Sequence, residues 1–257
     1  MKQLKTEDVV KKFRTMFQIC LWSTVGVSLA LMMLLLPYLG MAALALPVVG
    51  AALFGTVFMK RVKRNTLDTV LFRNMDPEGY LEILYNTDGV DAPAEDGILA
   101  SLFSGDYPMA IQICQGELQR KFPFGKKLFC TAVLCRAYFE TEDFSNLKMA
   151  CDSFDAYLRR RIGGSALREK YFIPYYQAYA ENRFADCIDF CLHRQYGCPF
   201  EKVNGDFHLA AAYYRSGDRE KAAKYFASVK NTAPYMQIGR LSRKYLSQME
   251  NGLSDPS

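Results

Sequence analysis

No charged side chain occurs between Thr15 and Met59, a gap of 45 residues in a chain whose side chains are 23% charged overall. The gap excludes a solvated surface segment. It also excludes ion or proton passage along charged groups within it, because its polar side chains are of the kind of Gln18, Ser23, Thr24, Ser28 and Thr56. Histidine is nearly as scarce: His193 and His208 are the only two, and neither adjoins a nucleophile motif. The chain also lacks a Walker-type phosphate loop, H-E-x-x-H, G-x-S-x-G and a dinucleotide fingerprint. Catalysis has no support in these patterns, so no enzyme and no cofactor are expected. Strand signals are few. The cysteines lack secretory spacing: Cys20 falls in the uncharged gap, and Cys114, Cys130, Cys135, Cys151, Cys187, Cys191 and Cys198 are odd in number. Reduced, mostly buried thiols are the simpler reading.

What is present begins with the gap itself. A single helix of that length would extend about 68 Å at ~1.5 Å per residue, more than twice the ~30 Å hydrocarbon core of a bilayer. The run therefore predicts a hairpin of two spans, 16–36 and 41–59, joined at Pro37-Tyr38-Leu39-Gly40 and kinked at Pro47. Gly26/Ala30 and Ala51/Gly55 have the small-xxx-small spacing that lets membrane helices approach, so a homo-oligomer through the hairpin is one expectation. Lys11, Lys12 and Arg14 precede the gap; Lys60, Arg61, Lys63 and Arg64 follow it. Basic flanks predict a multi-pass protein of the cell (plasma or inner) membrane with both termini cytoplasmic. A cleaved signal peptide is the rival, and the length of the apolar stretch and the second basic cluster disfavour it.

The net charge of +5 is unevenly spread: residues 1–66 carry nine Lys/Arg against Glu7 and Asp8, and the remaining 191 residues carry 23 basic and 25 acidic side chains. The basic character belongs to the membrane-proximal part. It points to anionic lipid headgroups, contacted by the seven flanking basic residues, and away from nucleic acid.

Beyond the gap the apolar spacing is helical. Met75-Asp76-Pro77-Glu78 reads as a helix start with Asp76 as N-cap and Pro77 in the first turn, and Thr87–Ala94 is a break. From there the chain repeats at intervals of 35 to 40 residues. The clearest copy runs from Leu209 to Phe226 and holds Tyr213, Gly217-Asp218, Ala222 and Phe226, with Pro234 eight residues on. Three weaker copies precede it. Gly105-Asp106-Tyr107 leads to Ala110 and Cys114; Ala137-Tyr138-Phe139 leads through Glu142-Asp143 to Leu147 and Cys151; Tyr175–Tyr179 leads through Asn182-Arg183 to Cys187 and Cys191.

This pattern resembles a tetratricopeptide repeat over about residues 91–235. The resemblance implies small residues where paired helices cross, an aromatic on the first helix, a Gly-Asp type turn between them and a closing Pro. It assigns those roles to Gly105, Ala110, Tyr138, Cys187, Tyr213, Gly217, Ala222, Phe226 and Pro234. Helix pairs of this kind bury their apolar faces by stacking and leave a concave groove. The expected organisation is all-α: a basic segment 1–14, the hairpin 15–59, a connector and helix 60–90, about four degenerate helix pairs in 91–235, and a closing helix and tail in 236–257.

Few side chains invite a chemical reading. Cys187, Cys191, His193 and Cys198 offer four metal-ligand types within twelve residues, yet Cys187 and Cys191 occupy core positions of the repeat and lack C-x2-C knuckles. Packing is the preferred reading, and no metal is expected. Arg159-Arg160-Arg161, and Arg120, Lys121, Lys126 and Lys127, read as basic helix ends and loops rather than as anion sites. The function these features favour is a membrane-anchored adaptor that binds a protein or peptide through the groove. The alternatives are an accessory subunit assembled through the hairpin and, last, a thiol or metal-dependent enzyme.

Overall fold

The computed structural model describes residues 6–39, 57, 60–61, 63–88, 94–120, 123–159 and 164–251. The chain divides into two compact units, 1–74 and 75–257.

In the first unit, α1 spans Thr6–Leu39 without interruption. It begins inside the charged segment instead of at Met16, and it continues through Pro37 to Leu39. The expected location in a membrane, multi-pass with both termini cytoplasmic, is overturned: among the described residues no helix is long and apolar enough to cross a membrane. Lack of charge is a weaker condition than sustained hydrophobicity. In α1 the Ser28 hydroxyl donates to Thr24 O at 2.7 Å. The second arm, 41–59, lies outside the described residues except for Val57. Part of the expected connector is a five-residue π-helix, Thr69–Arg73, closed by the Asn74 N–H donating to Thr69 O at 3.0 Å.

The second unit contains α2 (Pro77–Asp88), α3 (Ala94–Ser104), α4 (Tyr107–Gln119), α5 (Phe124–Glu140), α6 (Phe144–Leu158), α7 (Gly164–Lys170), α8 (Ile173–Ala180), α9 (Phe184–His193), α10 (Pro199–Arg215), α11 (Arg219–Thr232) and α12 (Gln237–Glu250). No strand occurs among the described residues, so the all-α expectation holds. Local chemistry sets the helix starts. Carboxylates of Asp76, Asp106, Asp143 and Asp218 accept from the N–H of Gly79, Met109, Asn146 and Lys221, at 2.9, 3.2, 3.1 and 3.1 Å. Each satisfies a donor that the first turn leaves without a partner.

One turn geometry recurs between paired helices. Gly105, Glu142, Asn182 and Gly217 are left-handed, at φ of 92°, 56°, 59° and 89°. The next N–H then reaches five residues back, from Asp106 to Ser101 O at 2.8 Å, Asp143 to Tyr138 O at 2.9 Å, Arg183 to Ala178 O at 2.8 Å and Asp218 to Tyr213 O at 3.0 Å. This is the Schellman closure of a helix. α7 was not anticipated: its first residue, Gly164, belongs to the Gly pair read as a helix cap.

Most successive helices pack on one another, α6 packs on α8 across the short α7, and α12 also packs on α10 and returns to α3. Two helices are buried nearly all round. α10 is continuously buried from Val203 to Tyr214, and α5 buries Leu128, Cys130–Cys135 and Ala137–Phe139. Such helices are interior, not groove-lining.

Candidate functional site

Side chains of the inner helices meet where a groove between the helix pairs was expected. Phe103 of α3 meets Phe200 of α10 edge-on at 4.9 Å, and the Arg136 guanidinium of α5 lies 5.0 Å over the Phe103 ring. Arg136 Nη2 donates to Asn204 Oδ1 of α10 at 2.7 Å, a bond between residues 68 apart in sequence. At the open end the Gln237 side chain of α12 covers Gly105, and Arg240 pairs with Glu78 of α2.

A buried polar cluster occupies the middle. The Glu140 side chain is only 3% exposed; its Oε1 is 3.7 Å from Arg136 Nε, an ion pair too long for a hydrogen bond. The Tyr107 hydroxyl also bonds this carboxyl. Burial raises the Glu140 pKa above the usual carboxylate range, and Arg136 and Tyr107 oppose that shift. Burial likewise pushes the Tyr107 phenol up.

His208 of α10 lies next to this cluster. Its ring is stacked between Phe139 at 5.4 Å and Phe172 at 4.9 Å. Nδ1 is 2.6 Å from Asn204 O, Nε2 has no hydrogen-bond partner among the described residues, and the backbone carbonyl accepts from Tyr175 Oη at 2.7 Å. Burial, helped by the nearby Arg136 charge, depresses its pKa to about 3. It is a neutral imidazole at physiological pH. The arrangement orders α5, α8 and α10 against one another and holds no nucleophile poised beside a base.

Most of the residues singled out by repeat position are buried. Ala110, Cys187, Ala222 and Phe226 are fully buried, and Tyr138 and Tyr213 nearly so. Tyr213 stacks on Tyr225 at 14° between planes, and Pro234 follows the end of α11. The four metal-ligand types do not converge: Cys187 and Cys191 face the core of α9, whereas His193 is exposed and bonds within its own helix to Asp189. Cys198 stands at the start of α10. Among the described residues no group of three or more His, Cys, Asp or Glu is placed to hold a metal ion. Burial pushes the Cys187 thiol up to about 12 and the Cys191 thiol higher still, so both stay protonated. Six of the seven thiols of the second unit are buried, and the Cys151 thiol donates to Cys135 Sγ at 3.7 Å with both cysteines free.

Of the basic clusters, Arg120 and Lys126 are tied to the buried Glu117 at 2.9 and 2.7 Å, and Arg159 follows the end of α6. Lys121, Arg160 and Arg161 lie outside the described residues. Lys11, Lys12, Lys60, Arg61 and Arg64 are exposed and Lys63 half-buried. The side chain of Arg14 also lies outside the description.

The Arg136–Glu140–Asn204–His208 cluster was missed in the sequence. Its signal was present as polar pairs four apart, 136/140 and 204/208, on otherwise apolar helices. No family model, curated protein or solved structure matches this chain.

Proposed function

We propose that the second unit is a tetratricopeptide-like helical-repeat scaffold that recruits a protein partner through its outer surface. Four helix pairs joined by the same left-handed turn, at intervals of 37, 40 and 35 residues, support this reading. The inner faces of these pairs are consumed by packing, so the surfaces left to bind are the outer faces of α4, α6, α9 and α11 and the free side of α12. The carrying observation is the continuous burial of α10, which moves recognition from an inner groove to the outside. The chain works by binding, its buried thiols and neutral histidine serving the core.

The test is crosslinking of the full chain in its native cell, followed by mass spectrometry. The expected result is a defined protein crosslinked to outer-face residues of 94–250. Recovery of no protein, with turnover of a small molecule by the purified chain, overturns the reading.

A second reading, an accessory subunit assembled through its N-terminal segment, is favoured by the exposed Ile19, Trp22, Val27 and Met33 of α1, at 60%, 72%, 58% and 79%. Replacing 6–39 with an unrelated helix separates the two. Lost assembly supports the subunit, and retained recruitment supports the scaffold.

A further inference from the structure

Charge in the second unit is segregated along the chain. Residues 74–119 hold nine Asp/Glu and no Lys or Arg, whereas residues 215–250 hold eight Lys/Arg and three Asp/Glu. The two ends meet where Arg240 of α12 binds Glu78 of α2. The basic end is therefore already shown to capture a carboxylate. Around the Ala233–Met236 turn, Lys230, Tyr235, Arg240, Arg243 and Lys244 are all exposed. Arg243 Nη2 donates to Pro234 O at 3.2 Å, which anchors its guanidinium on the turn that carries Tyr235. Lys230 and Lys244 make no ion pair among the described residues.

We propose that this face docks an acidic segment of a protein partner. The inference rests on the scaffold reading and names its surface and the chemistry of its ligand. Guanidinium groups take carboxylates in a two-pronged bond, and an exposed aromatic beside them is a usual energetic anchor. A long polyanion fits less well. The face is only a few side chains across, and residues 67–214 carry 15 basic and 21 acidic side chains, which repel a nucleic acid that extends past it.

The test uses the full chain and a short labelled peptide of Glu, Asp and Leu, followed by fluorescence anisotropy at low salt. Binding is expected to weaken with added salt and by about tenfold or more in R243E/K244E. The same peptide should be unaffected by K148E on α6. The neutral pair R243Q/K244Q should fall between, and unchanged thermal melting shows that each variant is folded. Equal binding by wild type and R243E/K244E overturns the proposal, as does tighter binding of a single-stranded oligonucleotide that R243E/K244E abolishes.

A photocrosslinking residue placed at Tyr235, and separately at the exposed Met149, separates this failure from that of the scaffold reading. Capture at Tyr235 of a protein through an acidic segment, lost in R243E/K244E, supports the proposal. A protein caught at Met149 alone overturns the docking face and leaves the scaffold standing. No protein at either position overturns the scaffold as well.

Discussion

His208 shows how one side chain reports on the whole core. Its folded pKa of about 3 lies below the ordinary 6.5, because the ring is fully buried between Phe139 and Phe172 and the Arg136 charge is close. The unfolded chain therefore takes up the proton first as pH falls. The contribution of neutral burial is intact above about pH 6.5 and declines toward pH 3, with a limiting slope on the order of 1.4 kcal/mol per pH unit. Urea unfolding as a function of pH should show this slope, and His208→Phe should flatten it between those limits. An unchanged pH dependence in the variant would mean that another group sets it. The sequence named His208 as one of two histidines and no more. Its burial comes from aromatic rings 36 and 69 positions away, which local pattern does not reveal.

At the scale of elements, the turns were the most legible feature. Gly105-Asp106 and Gly217-Asp218 were expected as turns from their place in the repeat resemblance, and both glycines are left-handed. Glu142 and Asn182 stand at the same place in their copies, and they adopt the same conformation despite a Cβ that disfavours it. Their backbones are held by the same N–H bond five residues back, so the turn is imposed by the helices on either side. Glu142→Gly should stabilise the unit by about 1 kcal/mol, with a smaller gain for Asn182→Gly, because Asn tolerates this region better. Chemical denaturation midpoints of the two variants check both sign and order. The start of α2 at Asp76-Pro77 was legible for a similar reason, since a cap acts within three residues. α7 was not, because Gly163-Gly164 reads equally well as an end or a beginning.

For the whole molecule, α12 is the element that closes the second unit. Its Tyr245 ring stacks on Phe226 of α11 at 4.8 Å and 8°, while Gln237 and Arg240 reach α3 and α2. Gly239 permits this path: a Cβ there would lie 2.0 Å from the Ala233 carbonyl oxygen, and backbone cannot yield as a side chain does. Gly239→Ala should displace α12 and lower stability by about 1–3 kcal/mol, with increased binding of a hydrophobic dye as the Phe226–Tyr245 stack opens. Thermal melting and dye fluorescence test it, and a variant that melts like wild type would remove α12 from this role. The sequence by itself determined helix as the only class of element in the described residues, the spacing of the turns at Gly105 and Gly217 and the cap at Asp76, because each depends on local residue type and pattern. Tertiary structure alone decided that the inner faces meet instead of lining a groove, that Arg136 reaches Asn204 and that the basic C-terminal end meets the acidic α2. Those contacts join residues separated by 68 to 162 positions, and their geometry is set by the cumulative rotation of the helix pairs, which no local spacing encodes.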